Sequence, residues 1–258
     1  MPIRDNIHRA LRKLGLVPPH RGIADFAVDA QTARVAHQPD ECRLADRFYA
    51  HHGCVVHKWT HYPAIYETYF ARFVGQPLHM LEIGVFKGGS LQLWRDCFGP
   101  EAVIFGIDID PACANLPEPP TQVRIGSQDD PAFLRAVVAD MGGLDLVLDD
   151  GSHYAPHQRR SFETLFPLLS DGGLYVIEDT HTAYWPGSYQ GGYRRPGTAI
   201  ELAKRLIDDM HAHYHGYDQL PVQARDWIPA IHIHDSIIVI EKARRERPAH
   251  VQIGGTTP

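Results

Sequence analysis

The segment LDLVLDDGSH, Leu144 to His153, runs an apolar strand into Asp149 and Asp150 and then reaches Gly151 and His153. A second apolar strand, GLYVIEDT, ends one helix-length later in Glu178 and Asp179. Strands joined by a helix run parallel, so both acidic ends are expected at one edge of a sheet. Carboxylates a few ångström apart raise one another's pKa unless a cation lies among them. The hard oxygens of Asp150, Glu178 and Asp179 favour Mg2+ or Mn2+ over zinc, and three such ligands leave about three positions of an octahedron open. Two vicinal hydroxyls of a substrate and a water suit those positions. His153 follows the Asp149-Asp150-Gly151 corner instead of riding a helix face, and a neutral imidazole there is a natural general base near pH 7. Its alternative is a helix cap or a histidine that only orients a ligand.

A second constellation lies upstream. The turn EIGVFKGGS, Glu82 to Ser90, carries Gly84, Gly88 and Gly89, which let a backbone approach a bound ligand at a helix N-terminus. The glycines are out of register with the dinucleotide fingerprint, which argues against a nicotinamide-dependent oxidoreductase. Asp108 ends the next strand, where nucleoside-binding sheets place an acid for ribose hydroxyls; Asp110, before Pro111, competes for that role or caps a turn. Ser127 and Gln128 follow the third strand and could edge an adenine ring or serve as turn polarity. Ser90 and Asp149 complete the expected cofactor set.

The elements that must position these residues alternate. HMLEIG, AVIFGIDID, VRIGS, LDLVLDD and GLYVIEDT read as strands, separated by LQLWRDCF and by helices carrying Phe133 to Met141 and Phe162 to Leu169. A helix with Ala199, Ala203, Leu206 and Met210 on one stripe follows a Gly-, Tyr- and Trp-rich loop, His181 to Gly197. AIHIH and SIIVIEK then close as a hairpin around Asp235-Ser236. The expectation is an α/β, Rossmann-like, mostly parallel doubly wound sheet with a C-terminal antiparallel hairpin, ligands sitting at the carboxyl ends of its strands. Upstream, Asp46 to Phe73 reads as a helical, aromatic-rich region whose rings serve packing.

At 258 residues and 44% apolar composition the chain can bury a sizeable core. We divide it into an N-terminal appendage, residues 1–45, with an amphipathic piece around Ile7 to Leu16; a main domain, 46–245; and a flexible tail, 246–258. A formal charge of −6 without a basic stripe disfavours nucleic-acid and membrane-surface partners. Lys242, Arg244, Arg245 and Arg247 read as a solvated terminal run. Cys42, Cys54, Cys97 and Cys113 form no zinc spacing and suit reduced thiols. No signal peptide or membrane span is read, so the expected location is the cytoplasm.

The set KWTHY, LEIGV followed by GGSLQLW, FGIDID, GSQDDP, LDDGSH, GGLYVIEDTHTAYWPG and HDSIIVIEK, in this order, resembles the magnesium-dependent, S-adenosylmethionine-using sugar O-methyltransferases of macrolide biosynthesis. The resemblance covers roughly Lys58 to Lys242. It implies a class I methyltransferase fold with S-adenosyl-L-methionine as cofactor and Asp150, Glu178 and Asp179 as ligands of Mg2+ (or Mn2+). It further implies His153 as catalytic base, and Glu82, Gly84, Asp108, Ser127 and Gln128 at the cofactor. The acceptor would be a small molecule or glycan with vicinal hydroxyls. Tyr184 and Trp185 are placed to stack on its sugar or simply to pack, and a homo-oligomer is compatible with the chain. A catechol-type enzyme acting on a phenolic acceptor, or a metal-dependent hydrolase, would use the same carboxylates.

Overall fold

The computed structural model describes residues 22–37, 43–116, 119–217 and 220–255. The chain divides into two compact units between residues 38 and 39. In the first, a short 3-10 turn, Ile23–Phe26, precedes helix α1, Ala30–Ala36, whose N-terminus is capped by the Asp29 carboxylate accepting from the Thr32 amide. The expected amphipathic piece at Ile7 to Leu16 lies outside the described residues.

The second unit is built on a seven-stranded sheet of order β3-β2-β1-β4-β5-β7-β6. The strands are β1 His79–Ile83, β2 Val103–Asp108, β3 Gln122–Ile125, β4 Leu146–Asp149, β5 Leu174–Ile177, β6 Ile231–His234 and β7 Ile237–Glu241. β1 to β5 pair in parallel, and β7 alone is reversed, antiparallel to both β5 and β6. This is the class I methyltransferase fold anticipated above.

Successive strand residues point to opposite faces, and both faces are buried. Leu81, Phe105, Val147 and Tyr175 pack under the helices Pro131–Met141, Ala155–Leu165 and Ala199–Met210. Met80, Ile104, Leu146 and Val176 pack on the other face against Leu44, Tyr66, Phe70 and Trp94. Local chemistry sets the helix limits. Asp130 caps the helix before Pro131 by accepting from the Ala132 and Phe133 amides, and left-handed Gly142 ends it.

Two expectations need correction. The region Asp46 to Phe73 is not one helical stretch but two helices, Arg43–Ala50 and Tyr62–Phe70, with Pro63 confined to the first turn of the second, where its missing amide costs nothing. Residues 51–61 between them are non-helical. Lys242 is not solvated either. It is 6% exposed and donates to the carbonyls of Phe166, Pro167 and Leu169, closing the end of the helix that precedes β5. Arg245 likewise donates to Met210 O, and Arg244 and Arg247 remain exposed.

Candidate metal and cofactor site

Backbone bonds extend the ladder one residue past the strands. The amide of Gly84 donates to Ile107 O at 2.8 Å, that of Asp150 to Ile83 O at 3.0 Å, and that of Glu178 to Asp149 O at 3.0 Å. Gly84, Asp150 and Glu178 therefore stand side by side at the carboxyl edge, where the strand order reverses between β1 and β4. A pocket of about 450 Å³ opens there, with Gly84, Asp108, Ser127, Asp150, His153 and Asp179 among its walls.

Its acidic part is organised by three side chains from a single segment. Lys58, 2% exposed, places Nζ 2.5 Å from Asp150 Oδ2 and 2.9 Å from each oxygen of Glu178. The Tyr62 hydroxyl donates to Asp179 Oδ1 at 2.6 Å, and the Tyr66 hydroxyl donates to Glu178 Oε1 at 2.5 Å. What remains open is one oxygen from each aspartate. Asp150 Oδ1 lies 3.8 Å and Asp179 Oδ2 3.5 Å from His153 Nε2. Asp150, His153 and Asp179 can each offer a ligand atom within 4.8 Å of the others. The buried Nδ1 of His153 has no hydrogen-bond partner among the described residues. Both His153 (φ 51°) and Asp179 (φ 53°) sit in the left-handed region.

The electrostatics follow from this crowding. Burial works against the Lys58 ammonium, but the Asp150 and Glu178 charges outweigh it and hold the group above its ordinary range. Burial, then the nearby Asp150 charge, pushes Glu178 well up despite the ammonium beside it. Glu82, fully buried, is pushed to about 7 by desolvation, which the Lys58 charge only partly offsets.

The cofactor-side residues separate into two groups. Gly84 (φ +93°) and Ser127 line the pocket. So does Asp108, whose Oδ2 accepts from the Val85 and Phe86 amides and whose Oδ1 accepts from Asp110. Burial opposes the Asp108 charge, and these amides outweigh it, holding the carboxyl below its usual value. Asp110 accepts from the Ala112 amide and caps a turn. Gln128 also lines the pocket, but its amide is already taken, with Nε2 donating to Asp149 Oδ1 and Oε1 accepting from the Ser152 amide.

Glu82 and Asp149 differ from expectation: both are fully buried and neither lines the pocket. Glu82 accepts from Ser90 Oγ and Trp94 Nε1, while Asp149 accepts from Gln128, Ser161 and Tyr175. They brace the two turns from beneath. Ser90 still reaches the pocket wall, whereas Gly88 sets the helix start from a left-handed conformation and does not.

On the acceptor side, Tyr184 is half-exposed and does not line the pocket. Trp185 stands in an arc of rings. Trp59 meets His181 at 4.9 Å, His181 meets Trp185 at 4.5 Å, Trp185 meets Tyr189 at 5.9 Å, and Tyr189 approaches His153 at 6.4 Å. The sequence reading passed over Lys58, Tyr62 and Tyr66 as functional residues. Tyr62 and Tyr66 lie one helical turn apart on one helix, a spacing that the sequence shows, whereas Lys58 lies in the non-helical segment before it, where no periodicity marks it.

The fold is that of the class I methyltransferases, and the comparisons with known proteins agree. Residues 81–180 match the family described as methyltransferase domain. The chain is 41% identical, over 72% of its length, to the 8-demethyl-8-(2-methoxy-alpha-L-rhamnosyl)-tetracenomycin-C 3'-O-methyltransferase of Streptomyces olivaceus. It is 35% identical, over 81% of its length, to the mycinamicin VI 2''-O-methyltransferase of Micromonospora griseorubida. These alignments cover 50% and 54% of the two relatives, so the chain spans about half the length of the curated proteins it matches. Among solved structures, the MycE methyltransferase from the mycinamycin biosynthetic pathway, in complex with Mg, SAH and mycinamycin VI, superimposes with a TM-score of 0.68 at 33% identity, covering 81% of this chain and 55% of that one. The chain belongs to the methyltransferase family that contains these antibiotic-sugar O-methyltransferases.

Proposed function

We propose that this chain transfers a methyl group from S-adenosylmethionine to a sugar hydroxyl of a glycosylated natural product or glycan, with a divalent metal, Mg2+ or Mn2+, held by the cluster of Asp150, Glu178 and Asp179. The observation that carries the proposal is the convergence of Asp150 Oδ1, Asp179 Oδ2 and His153 Nε2 in the pocket that also holds Gly84 and Asp108. The donor set fits such a metal, because Asp150 Oδ1 and Asp179 Oδ2 face the same space, and Glu178, both of whose oxygens lie 2.9 Å from Lys58 Nζ, would complete the set by giving up part of that contact. When bound, the cofactor supplies an electrophilic methyl carbon, and the metal lowers the pKa of a hydroxyl it coordinates.

The residues of this chain do the rest. Asp108 would accept from ribose hydroxyls, and Gly84, in the pocket wall beside it, would meet the cofactor with its backbone. His153 Nε2 takes the proton of the acceptor hydroxyl, and the aspartates beside it stabilise the imidazolium that results. Trp59, His181 and Trp185 offer ring faces and edges to a sugar.

The test is calorimetric titration with S-adenosylhomocysteine, with Mg2+ or with chelator, followed by labelled methyl transfer to rhamnosylated and macrolide acceptors and to a catechol. Micromolar cofactor binding and metal-dependent labelling of a sugar are expected. No cofactor binding would overturn methyl transfer, and labelling of the catechol alone would replace the sugar by a phenol.

A further inference from the structure

Each aspartate that faces His153 has one oxygen open and one oxygen held. Asp150 gives Oδ2 to Lys58 and keeps Oδ1 toward His153; Asp179 gives Oδ1 to Tyr62 and keeps Oδ2 toward His153. Lys58 and Tyr62 lie four residues apart in one segment, and that segment lies outside the matched methyltransferase domain, residues 81–180. Tyr66, four residues further, takes Glu178 Oε1.

We infer that the segment Lys58–Tyr66 is a positioning device for the metal site: Lys58 and Tyr62 select which oxygen of Asp150 and of Asp179 faces the ion, and Tyr66 fixes Glu178. The inference rests on the metal reading proposed above and extends it to Lys58, Tyr62 and Tyr66, which act through the carboxylates they hold.

Three features make the arrangement more than incidental packing. Lys58 is almost wholly buried, so its ammonium has given up water for these carboxylates and is held by them. Tyr62 is itself fixed from behind. Its hydroxyl lies 2.8 Å from Ser236 Oγ in the turn between β6 and β7, and that Oγ also meets His181 Nδ1. Finally, a carboxylate anchored through one oxygen loses most of its rotational freedom, so the other oxygen is presented at a fixed place before any ion arrives.

Two effects of Lys58 oppose each other at a nearby cation. Its charge repels the ion, while its bonds to Asp150 and Glu178 orient the ligands. Positioning predicts that losing Lys58 weakens metal binding, and repulsion predicts that it strengthens it. Tyr62 carries no charge, so its loss reports on positioning alone.

The experiment is calorimetric titration of the full chain with Mn2+ and with Mg2+, unaltered and as Lys58→Met, Lys58→Arg and Tyr62→Phe, with S-adenosylhomocysteine affinity measured in parallel as a control on folding. Lys58→Met and Tyr62→Phe are expected to weaken metal binding by about 10- to 100-fold, the usual cost of losing a group that orients a metal ligand, with cofactor affinity unchanged. Lys58→Arg, which keeps the charge but changes reach and shape, should also weaken it. Metal affinity within twofold of the unaltered chain in Tyr62→Phe, or tighter binding in Lys58→Met with no change in Lys58→Arg, would overturn the inference while leaving methyl transfer standing. Failure of the unaltered chain to bind either ion would overturn the metal reading and this inference with it. Tyr62→Phe removes one hydroxyl from a retained ring, so it decides the matter even if Lys58→Met does not fold.

Discussion

Gly84 and Asp150 meet backbone to backbone, so closely that a Cβ on Gly84 would lie 2.2 Å from the Asp150 carbonyl oxygen. The turn after β1 and the turn after β4, proposed above for cofactor and metal, are thus one packed unit, and neither can shift alone.

Gly84→Ala should therefore damage both. The position also has φ +93°, which a side chain resists, and nothing in a backbone contact can rotate away. The expected result is a loss of more than about 1 kcal/mol of stability together with a loss of cofactor binding. Urea unfolding and S-adenosylhomocysteine titration read the two; a variant unchanged in both would show that the turns are independent.

His153→Ala should lower turnover by about two to four orders of magnitude, the range for a lost general base, with cofactor affinity preserved. Steady-state kinetics across pH check it. Turnover within a few-fold of the unaltered chain would move the base elsewhere, and His181, whose buried Nε2 has no hydrogen-bond partner among the described residues, is the next candidate.

Glu82 gives the protein a pH dependence of defined sign. Its pKa rises from an ordinary 4.5 to about 7 in the folded chain, so the folded state holds a proton that the unfolded state releases. The contribution is fully present below about pH 4.5 and is lost as pH rises through about 7, on the order of 3 kcal/mol in all. Unfolding of the metal-free chain, followed over pH 5–8, should show this fall, and Glu82→Gln should flatten it. A fall of the same size in Glu82→Gln would assign it to other groups.

Trp59 lines the pocket and Trp185 does not, although both flank His181. Trp59→Leu should raise the acceptor KM by up to about tenfold with little change in kcat, in keeping with the worth of one aromatic contact, and Trp185→Leu should raise it less. Kinetics at saturating cofactor distinguish them. A larger effect from Trp185 would place the sugar further out along the arc of rings.

Much of this architecture could be read from the chain, because short, near-continuous apolar runs ending in acids and separated by helices put Asp108, Asp150 and Glu178 on the carboxyl edge of a parallel sheet without knowledge of any contact. The closing hairpin around Ser236 was legible for the same reason. What escaped were partnerships across long separations. Lys58 reaches carboxylates 92 and 120 residues away from a non-helical segment, and no periodicity marks such a residue. Lys242 looked like part of a basic tail because its three carbonyl partners lie 73 to 76 residues upstream. Glu82 and Asp149 carried the residue type of a ligand-binding group but lie on the buried side of their turns. Sequence gives the acid at a strand end; only packing decides which way it faces.

His153 and Asp179 hold left-handed conformations in which glycine would be at ease, and each residue gives up about 1 kcal/mol to remain there. Two of the side chains that converge in the candidate site are thus carried by backbone that would relax if they were replaced by glycine. Drift toward thermal robustness in this protein therefore runs against keeping these two side chains in the candidate site. A lineage released from selection on this pocket would find glycine at these two corners among its easiest gains, and would keep the fold while losing both side chains from the pocket wall.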